Sequence, residues 1–324
     1  MKIIDNTLYQ ITVPTPFAVG DAHVYLLKGD VLSLIDAGVK TKEAYEALLI
    51  QLKQIGYHPR DVDQIILTHH HPDHTGLIEA FPRAREIMAN NLVDLWIRKD
   101  EQYFNRYEDF FNEYFKQCDI PQRFQGIGKK LRSLLSYAGE GHLTKTLEEG
   151  DKLPGHSDWQ VLNTKGHAQS HVSFYRESDG IFIGGDHLLK NISSNPVVEP
   201  PIHEGERRAS PMLQYRDSLL KCLSIEISQV LPGHGEIFSN VSEIVQSRFN
   251  KQEKRAANVL AFLQTGKQTA FQLCQKIFPV RYESQIDLTM SDIIGQLDYL
   301  EAIGLVSKST EGTTEFYEAT KAAK

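Results

Sequence analysis

A short run of metal-ligating side chains directly follows an apolar segment of this chain. The segment Gln64–Leu67 predicts a buried strand, and Thr68–Gly76 then carries four histidines and an aspartate within six positions. The members of its His-x-His-x-Asp-His pattern are His69, His71, Asp73 and His74. Imidazole and carboxylate suit a borderline divalent metal such as zinc. Because a strand that ends here presents these side chains together at a sheet edge, the sequence predicts metal chemistry.

The bulk composition is that of an ordinary globular protein. The chain has 324 residues, 41% hydrophobic and 24% charged, enough for two domains or one large one. Its net charge of -7 disfavours binding of polyanions such as nucleic acid. No stretch has the length and apolarity of a membrane span, and Met1–Asn6 lacks the apolar core of a signal peptide. The three distant cysteines (Cys118, Cys222, Cys274) form no disulfide framework, so we expect a cytoplasmic protein.

Alternating β-type and helical patterns predict stacked layers of sheet and helix. The predicted strands cover residues 3–13, 24–28, 31–35, 64–68, 159–163, 172–176, 180–184 and 229–231, with a helix over 41–55. An aromatic insertion at about 91–140 carries Tyr and Phe at helical spacing and predicts a long helix and a second one near 127–137. This insertion is either a lid over the site or packing, including a homodimer interface.

The chain after residue 240 predicts a separate domain. Helices over 244–263, 269–277 and 284–303, then a hairpin over 306–310 and 315–319, follow the winged-helix plan. We therefore expect domains at 1–240 and 241–324. Residues 251–324 contain nine Lys/Arg and nine Asp/Glu, and the helix in the recognition position has four acidic and no basic residues. Groove binding needs cations against phosphate, so packing or dimerisation is favoured over DNA binding.

Three further segments place a histidine or an aspartate beside glycine, which permits sharp turns at a strand end. These segments are Gly166-His167 with His171 four positions later, Gly184-Gly185-Asp186-His187, and Gly233-His234-Gly235. Each is weak alone, but together, in this order behind the first motif, they point to one metal site.

With these motifs, residues 5–240 resemble a metallo-β-lactamase-fold hydrolase of the glyoxalase II-like branch. The resemblance implies an α/β (α+β) fold, a four-layer αβ/βα sandwich with a dinuclear metal site at one edge. It implies a first metal at His69, His71 and His167, a second at Asp73, His74 and His234, and Asp186 bridging both. Zinc is favoured, with iron or manganese as alternatives. The three cysteines lie outside the motifs, unlike the metal-ligating cysteine of secreted β-lactamases of this fold.

Three extra histidines lie near these motifs. We interpret His171 as support for a ligand rather than a ligand. His70 is expected to point away from the metals, because its neighbours point toward them. His187 is a candidate substrate contact.

The predicted activity is hydrolysis of a small ester, thioester or lactone. Two divalent ions about 3.5–4 Å apart share a water and lower its pKa, so that a metal-bridging hydroxide attacks the substrate. Asp73 is a candidate for orienting this nucleophile. The alternatives left open are a metal-dependent endoribonuclease of the same fold and a non-catalytic winged-helix regulator.

Overall fold

The structure is a computed structural model that describes residues 1–124 and 126–323. Gln125, within the predicted insertion, and Lys324, the last residue of the predicted second domain, lie outside the described residues. Within the described part of the chain, no helix combines the length and apolarity needed to cross a membrane.

Two β-sheets carry the first two thirds of the chain, and in each the strands pair in chain order. The first sheet contains Lys2–Ile3 (β1), Leu8–Val13 (β2), Ala22–Lys28 (β3), Leu32–Ile35 (β4), Gln64–Ile66 (β5), Glu86–Ala89 (β6) and Lys145–Thr146 (β7). The second contains Lys152–Leu153 (β8), His156–Asn163 (β9), Val172–Arg176 (β10), Ile181–Gly185 (β11) and Gln229–Pro232 (β12). Strands β4 to β7 are parallel, as are β11 and β12.

Helices connect and cover these strands. In the same part of the chain they are Lys42–Gln54 (α1), Pro72–Thr75 (α2), Leu92–Ile97 (α3), Glu101–Gln117 (α4), Ile127–Leu134 (α5) and Pro211–Leu223 (α6). The remaining elements are Val241–Gln264 (α7), Ala270–Ile277 (α8), Ile286–Ala302 (α9), Val306–Glu311 (β13) and Thr314–Ala319 (β14).

The hydrophobic cores show a four-layer arrangement. Between the sheets, Ile35 and Ile66 share a core with Trp159 and other residues of the second sheet. The outer face of the first sheet packs on α1 through Leu48, and the outer face of the second packs on α6 and α7 through residues such as Tyr215. Strands β3 to β5 are buried along most of their length because they lie between two layers. The predicted αβ/βα sandwich is therefore confirmed.

Most predicted elements are present, with differences at short or irregular segments. The opening strand is two strands, β1 and β2, and the helix predicted over 127–137 ends at Leu134, before a 3-10 turn over Leu135–Tyr137. The sequence patterns did not predict strand β6 or helix α6. Strand β6 begins with Glu86 and ends with Ala89, two residue types that are depleted in strands.

The aromatic insertion and the C-terminal elements share one core. Trp96, Phe104 and Phe111 lie in the same hydrophobic cluster as Val259 and Leu297. Helix α9 packs against α6, α7 and α8 and buries eleven of its 17 residues. The predicted order of helix, helix, helix and hairpin is observed, whereas the winged-helix assignment and the boundary at residue 240 stay predictions.

Candidate metal centre

Five chain segments bring ligand-type side chains to one edge of the two sheets. Strands β4 and β5 are parallel neighbours, so Asp36 and the Thr68–Gly76 segment leave the first sheet at the same edge. Strands β11 and β12 are also parallel, so Asp186 and His234 leave the second sheet side by side. The turn between β9 and β10 adds His167. Since the carboxyl ends of parallel strands meet at one edge, residues far apart in sequence converge here.

His69, His71 and His167 form the first group of donors. Nδ1 of His71 lies 3.0 Å from Nε2 of His69 and 3.0 Å from Nε2 of His167. The three ligand-type atoms lie within 4.8 Å of one another. Zinc binds histidine nitrogen at about 2.0–2.1 Å, so a triangle of this size can close around one ion.

Asp73, His74 and His234 form the second group, and Asp186 lies between the groups. Oδ2 of Asp73 is 3.3 Å from Nε2 of His234. Oδ1 of Asp186 is 3.4 Å from Nε2 of His74, and its Oδ2 is 3.4 Å from Nε2 of His234. The same Oδ2 is 3.6 Å from Nε2 of His167 in the first group. The two oxygens of Asp186 therefore reach both groups.

Acceptor groups behind three rings determine which nitrogen faces the site. In each ring, Nδ1 is the nitrogen that contacts the acceptor. Nδ1 of His74 lies 2.8 Å from the Asp36 carboxylate, and Nδ1 of His234 lies 2.8 Å from the Asp21 carbonyl. Nδ1 of His167 lies 3.2 Å from the Asn195 carbonyl. Carbonyl and carboxylate oxygens only accept, so in the neutral ring the proton resides on Nδ1. Each Nε2 then presents a lone pair to the site, which is the form that a metal requires.

Asp36 is the supporting residue that the sequence analysis missed. Its carboxylate accepts hydrogen bonds from the Thr68 N–H at 2.8 Å, the Thr68 hydroxyl at 2.8 Å and Nδ1 of His74 at 2.8 Å. The single proton of the Thr68 hydroxyl is donated to Asp36. Thr68 Oγ1 therefore acts as the acceptor toward Nδ1 of His69, which lies 3.0 Å away. An acidic residue directly after the apolar strand β4, two positions before Gly38, was the available sequence clue.

Unpartnered polar atoms inside the site show that the donor set fits a cation. Nε2 of His74, Nε2 of His234 and Oδ1 of Asp186 are buried without a hydrogen-bond partner. Burying such atoms unpaired is costly, and native proteins rarely do so. All three point into the space between the donor groups. A divalent ion there would satisfy them together.

The site also shifts the pKa values of its histidines. Burial, followed by the neighbouring His167, lowers the pKa of His71 to about 3, which keeps its lone pair available. Burial alone would also lower the pKa of His234, but the carboxylates of Asp186 and Asp73 raise it to about 10. Metal binding at this second group must therefore displace a proton.

Two motif glycines are required by the crowding of the site. A Cβ atom on Gly233 would overlap the Asp186 carboxylate and lie 2.8 Å from Cε1 of His74. Gly185 adopts a φ of +49°, and a Cβ there would lie 2.8 Å from Nε2 of His171. The glycines beside the ligand-type residues therefore make room for them.

The three extra histidines occupy different environments. Nδ1 of His171 lies 2.8 Å from the Thr164 hydroxyl, and its Nε2 accepts the Asp186 N–H at 3.0 Å, so both nitrogens are used in support. The ring of His70 stacks on Trp96, with centroids 3.9 Å apart, its Nδ1 lies 2.8 Å from the Ser170 hydroxyl, and it belongs to neither donor group.

His187 does not face an open pocket. Its side chain has no exposed surface, lies beside the ring of Tyr215, and burial lowers its pKa to about 3. The structure thus gives it no surface at which to meet a substrate, and the substrate role considered from the sequence is not supported.

Comparison with known proteins agrees with this geometry. The family model of the metallo-beta-lactamase superfamily matches residues 18–234. The "Probable metallo-hydrolase YqjP" of Bacillus subtilis (strain 168) is 39% identical over 311 residues, covering 96% of this chain and 97% of the relative. A hydroxyacylglutathione hydrolase of Idiomarina loihiensis is 30% identical over 59% of this chain and 51% of its own.

A solved structure supports the fold over the whole chain. The metallo-beta-lactamase family protein TTHA1429 from Thermus thermophilus has a TM-score of 0.80 and 24% identity, covering 98% of this chain and 100% of that one. At this identity the likeness shows the fold alone. Because the family model spans more than half of the chain and includes both donor groups, the chain belongs to the metallo-beta-lactamase superfamily.

Proposed function

We propose that this protein is a dinuclear metal-dependent hydrolase of a small ester, thioester or lactone. The observation that supports it most directly is the pair of donor groups joined by Asp186, with buried lone pairs directed between them. Membership of a superfamily that includes metallo-hydrolases agrees with this chemistry.

The proposed ligands follow the two donor groups. The first ion would be held by His69, His71 and His167, the second by Asp73, His74 and His234, with Asp186 shared. When bound, two such ions supply a water of lowered pKa as nucleophile and polarise the acceptor oxygen of the substrate. Zinc suits this imidazole and carboxylate set, with iron or manganese as alternatives.

Asp73 is the proposed catalytic carboxylate. Burial opposes its ionisation, but the neighbouring imidazoles of His234, 3.3 Å away, and His74 lower the pKa of Asp73, so it is a carboxylate at neutral pH. Its side chain keeps a small exposed surface at the site. The oxygen of Asp73 that does not hold the second ion would accept a hydrogen bond from the nucleophilic water and orient it.

The aromatic insertion is proposed to support the metal loop by packing, because Trp96, Phe104 and Tyr107 are buried in the core that it shares with the C-terminal elements. Trp96 stacks on His70, which lies in sequence between two proposed ligands, so the insertion contacts the metal loop directly. Trp96 in turn contacts the rings of Phe104 and Tyr107. One relative is named a hydroxyacylglutathione hydrolase, and such a substrate belongs to the thioester class proposed here.

Metal-dependent hydrolysis of a defined panel tests the proposal. Metal-loaded protein is assayed with aryl esters, acyl thioesters and homoserine lactones, before and after chelation. We expect activity that chelation abolishes and that Asp73→Ala and His167→Ala lower by at least about a hundredfold. His58→Ala is the matched control, because this histidine is 61% exposed. Absence of hydrolysis across the panel by protein carrying two metals per chain would refute the proposal.

Single-stranded RNA belongs in the same panel. Cleavage of RNA that a chelator stops, without cleavage of esters or thioesters, would replace the proposal by the endoribonuclease alternative. Burial of α9 against α6, α7 and α8 supports a packing role for the C-terminal helices over DNA reading. A salt-dependent increase in DNA binding at low ionic strength would contradict this expectation.

A further inference from the structure

A long irregular segment, 187–210, lies between the metal centre and the C-terminal helices. It connects β11 to α6 and contains neither a helix nor a strand. Irregular connections of this length are uncommon in compact domains and usually carry function. The segment must therefore be held in place by contacts to other elements.

On its inner side the segment touches the residues around His167. The Asn195 carbonyl lies 3.2 Å from Nδ1 of His167. One oxygen of the buried Glu199 accepts the Gln169 N–H at 2.8 Å, two residues further along the same turn. These contacts set the direction of the His167 ring and the backbone of the turn that carries it.

On its outer side the segment is bound by α7. The guanidinium of Arg248 donates to three backbone carbonyls of the segment: Leu189 at 2.6 Å, Lys190 at 3.2 Å and Ile192 at 2.7 Å. Arg248 is only 4% exposed. Burying a cation is costly unless its donors are satisfied, so Arg248 holds these carbonyls firmly where they are.

Helix α9 binds the segment at Asn195, Val198 and Arg208. The Asn195 amide donates to the Leu288 carbonyl at 3.3 Å, and the Ser291 hydroxyl accepts the Val198 N–H at 3.2 Å. Arg208 forms a bidentate pair with Asp298, and both bonds are 2.7 Å. Bidentate pairs of this kind are strong and directional. Asn195 is therefore bound to α9 through its side chain and to His167 through its carbonyl.

We propose that α7 and α9 position the metal site, by holding segment 187–210 so that the Asn195 carbonyl orients His167. Arg208, Arg248 and the Asn195 side chain are the positioning residues. The inference rests on the proposed function only in taking His167 as a metal ligand. It gives the C-terminal helices a role in the hydrolase itself, in place of nucleic-acid binding.

Cobalt binding to the full-length protein tests this role without reference to a substrate. Cobalt(II) is titrated into the metal-free protein while its visible absorption is followed. Arg208→Ala and Asn195→Ala are expected to lower the affinity of the first ion by about tenfold, the lower end for residues that support a ligand. Asn195→Ala keeps the carbonyl at His167 and removes only the link to α9, so it remains informative if Arg208→Ala fails to fold.

Arg216→Ala is the matched control. Arg216 lies on α6 and donates to Gln252 at 3.1 Å and Glu253 at 2.7 Å on α7, so it joins the C-terminal helices to the sandwich without touching segment 187–210. We expect wild-type cobalt affinity in this variant. Faster hydrogen exchange in peptides from 187–210 is expected in Arg208→Ala and not in Arg216→Ala.

The outcomes separate this inference from the proposed function. Equal cobalt affinities in Arg208→Ala, Asn195→Ala and wild type, with unchanged exchange over 187–210, would overturn the positioning role and leave the hydrolase proposal standing. Failure of wild type to bind cobalt at all would overturn both. Cobalt binding with no hydrolysis of the panel would overturn only the proposed activity.

Discussion

Asp36→Asn is expected to weaken the second metal position selectively. The carboxylate of Asp36 accepts the Thr68 N–H on Oδ1 and Nδ1 of His74 on Oδ2, both at 2.8 Å. Asparagine has the same shape but only one acceptor oxygen. If that oxygen faces the Thr68 N–H, the amide N–H₂ faces His74 and donates to Nδ1. The His74 proton then moves to Nε2, and the lone pair that faces the site is lost.

The opposite orientation of the amide is also unfavourable. With its oxygen toward His74, the N–H₂ group would face the Thr68 N–H, and two buried donors would oppose each other at a cost of about 1–3 kcal/mol. Either way the variant loses a supporting contact of the kind whose removal lowers metal affinity by about 10- to 100-fold. That range corresponds to roughly 1.4–2.7 kcal/mol. His69 keeps its contact to Thr68 Oγ1, so the first position should change far less.

Competition with a chromophoric chelator measures the two stepwise metal affinities. Asp63→Asn is the control: it makes the same chemical change at a carboxylate that only accepts the Leu32 N–H at 2.8 Å, outside the site. We expect one affinity to fall in Asp36→Asn and neither in Asp63→Asn. Two affinities that fall equally, or that both stay at the wild-type values, would refute the tautomer argument.

Three further variants test other parts of the structure. Gly233→Ala places a methyl group against the Asp186 carboxylate and should abolish binding of the second metal while circular dichroism stays unchanged. Burial raises the pKa of Glu199 to about 7 from 4.5, so the folded state retains a proton that the unfolded state loses. The free energy of unfolding should therefore fall between about pH 4.5 and 7, and Glu199→Gln should remove up to about 3 kcal/mol of this dependence in urea titrations at several pH values. Trp159→Ala should lower the free energy of unfolding by about 3–5 kcal/mol, because this side chain is fully buried between the sheets.

Local patterns predicted much of the sandwich. An apolar run such as Gln64–Leu67 predicts its strand from neighbouring residues alone, and Gly29-Asp30 marks the turn between β3 and β4. The layers followed from the order of such elements and from the family resemblance, and the structure confirms them. Strand β6 was missed because Glu and Ala, which are depleted in strands, occupy its two ends.

The supporting contacts made by Asp36 and Asn195 were beyond the reach of the sequence, unlike that of His171. Asp36 supports His74 across 38 positions, and Asn195 supports His167 across 28 positions. Nothing in the sequence near Asp36 or Asn195 indicates which distant histidine it contacts. The burial of His187 likewise depends on the position of Tyr215 on α6.

The sequence by itself predicted metal chemistry, because its histidine, aspartate and glycine motifs lie at the ends of apolar strands, in the order of the family that the chain resembles. The seven ligands that this resemblance implies are side chains that the structure brings close together, and their binding of metal stays a prediction. The tertiary structure alone decided what surrounds them. Contacts between distant segments decide which nitrogen each ring presents and what the aromatic insertion packs against. They also decide how α7 and α9 reach His167. Those contacts exist only once the chain has folded.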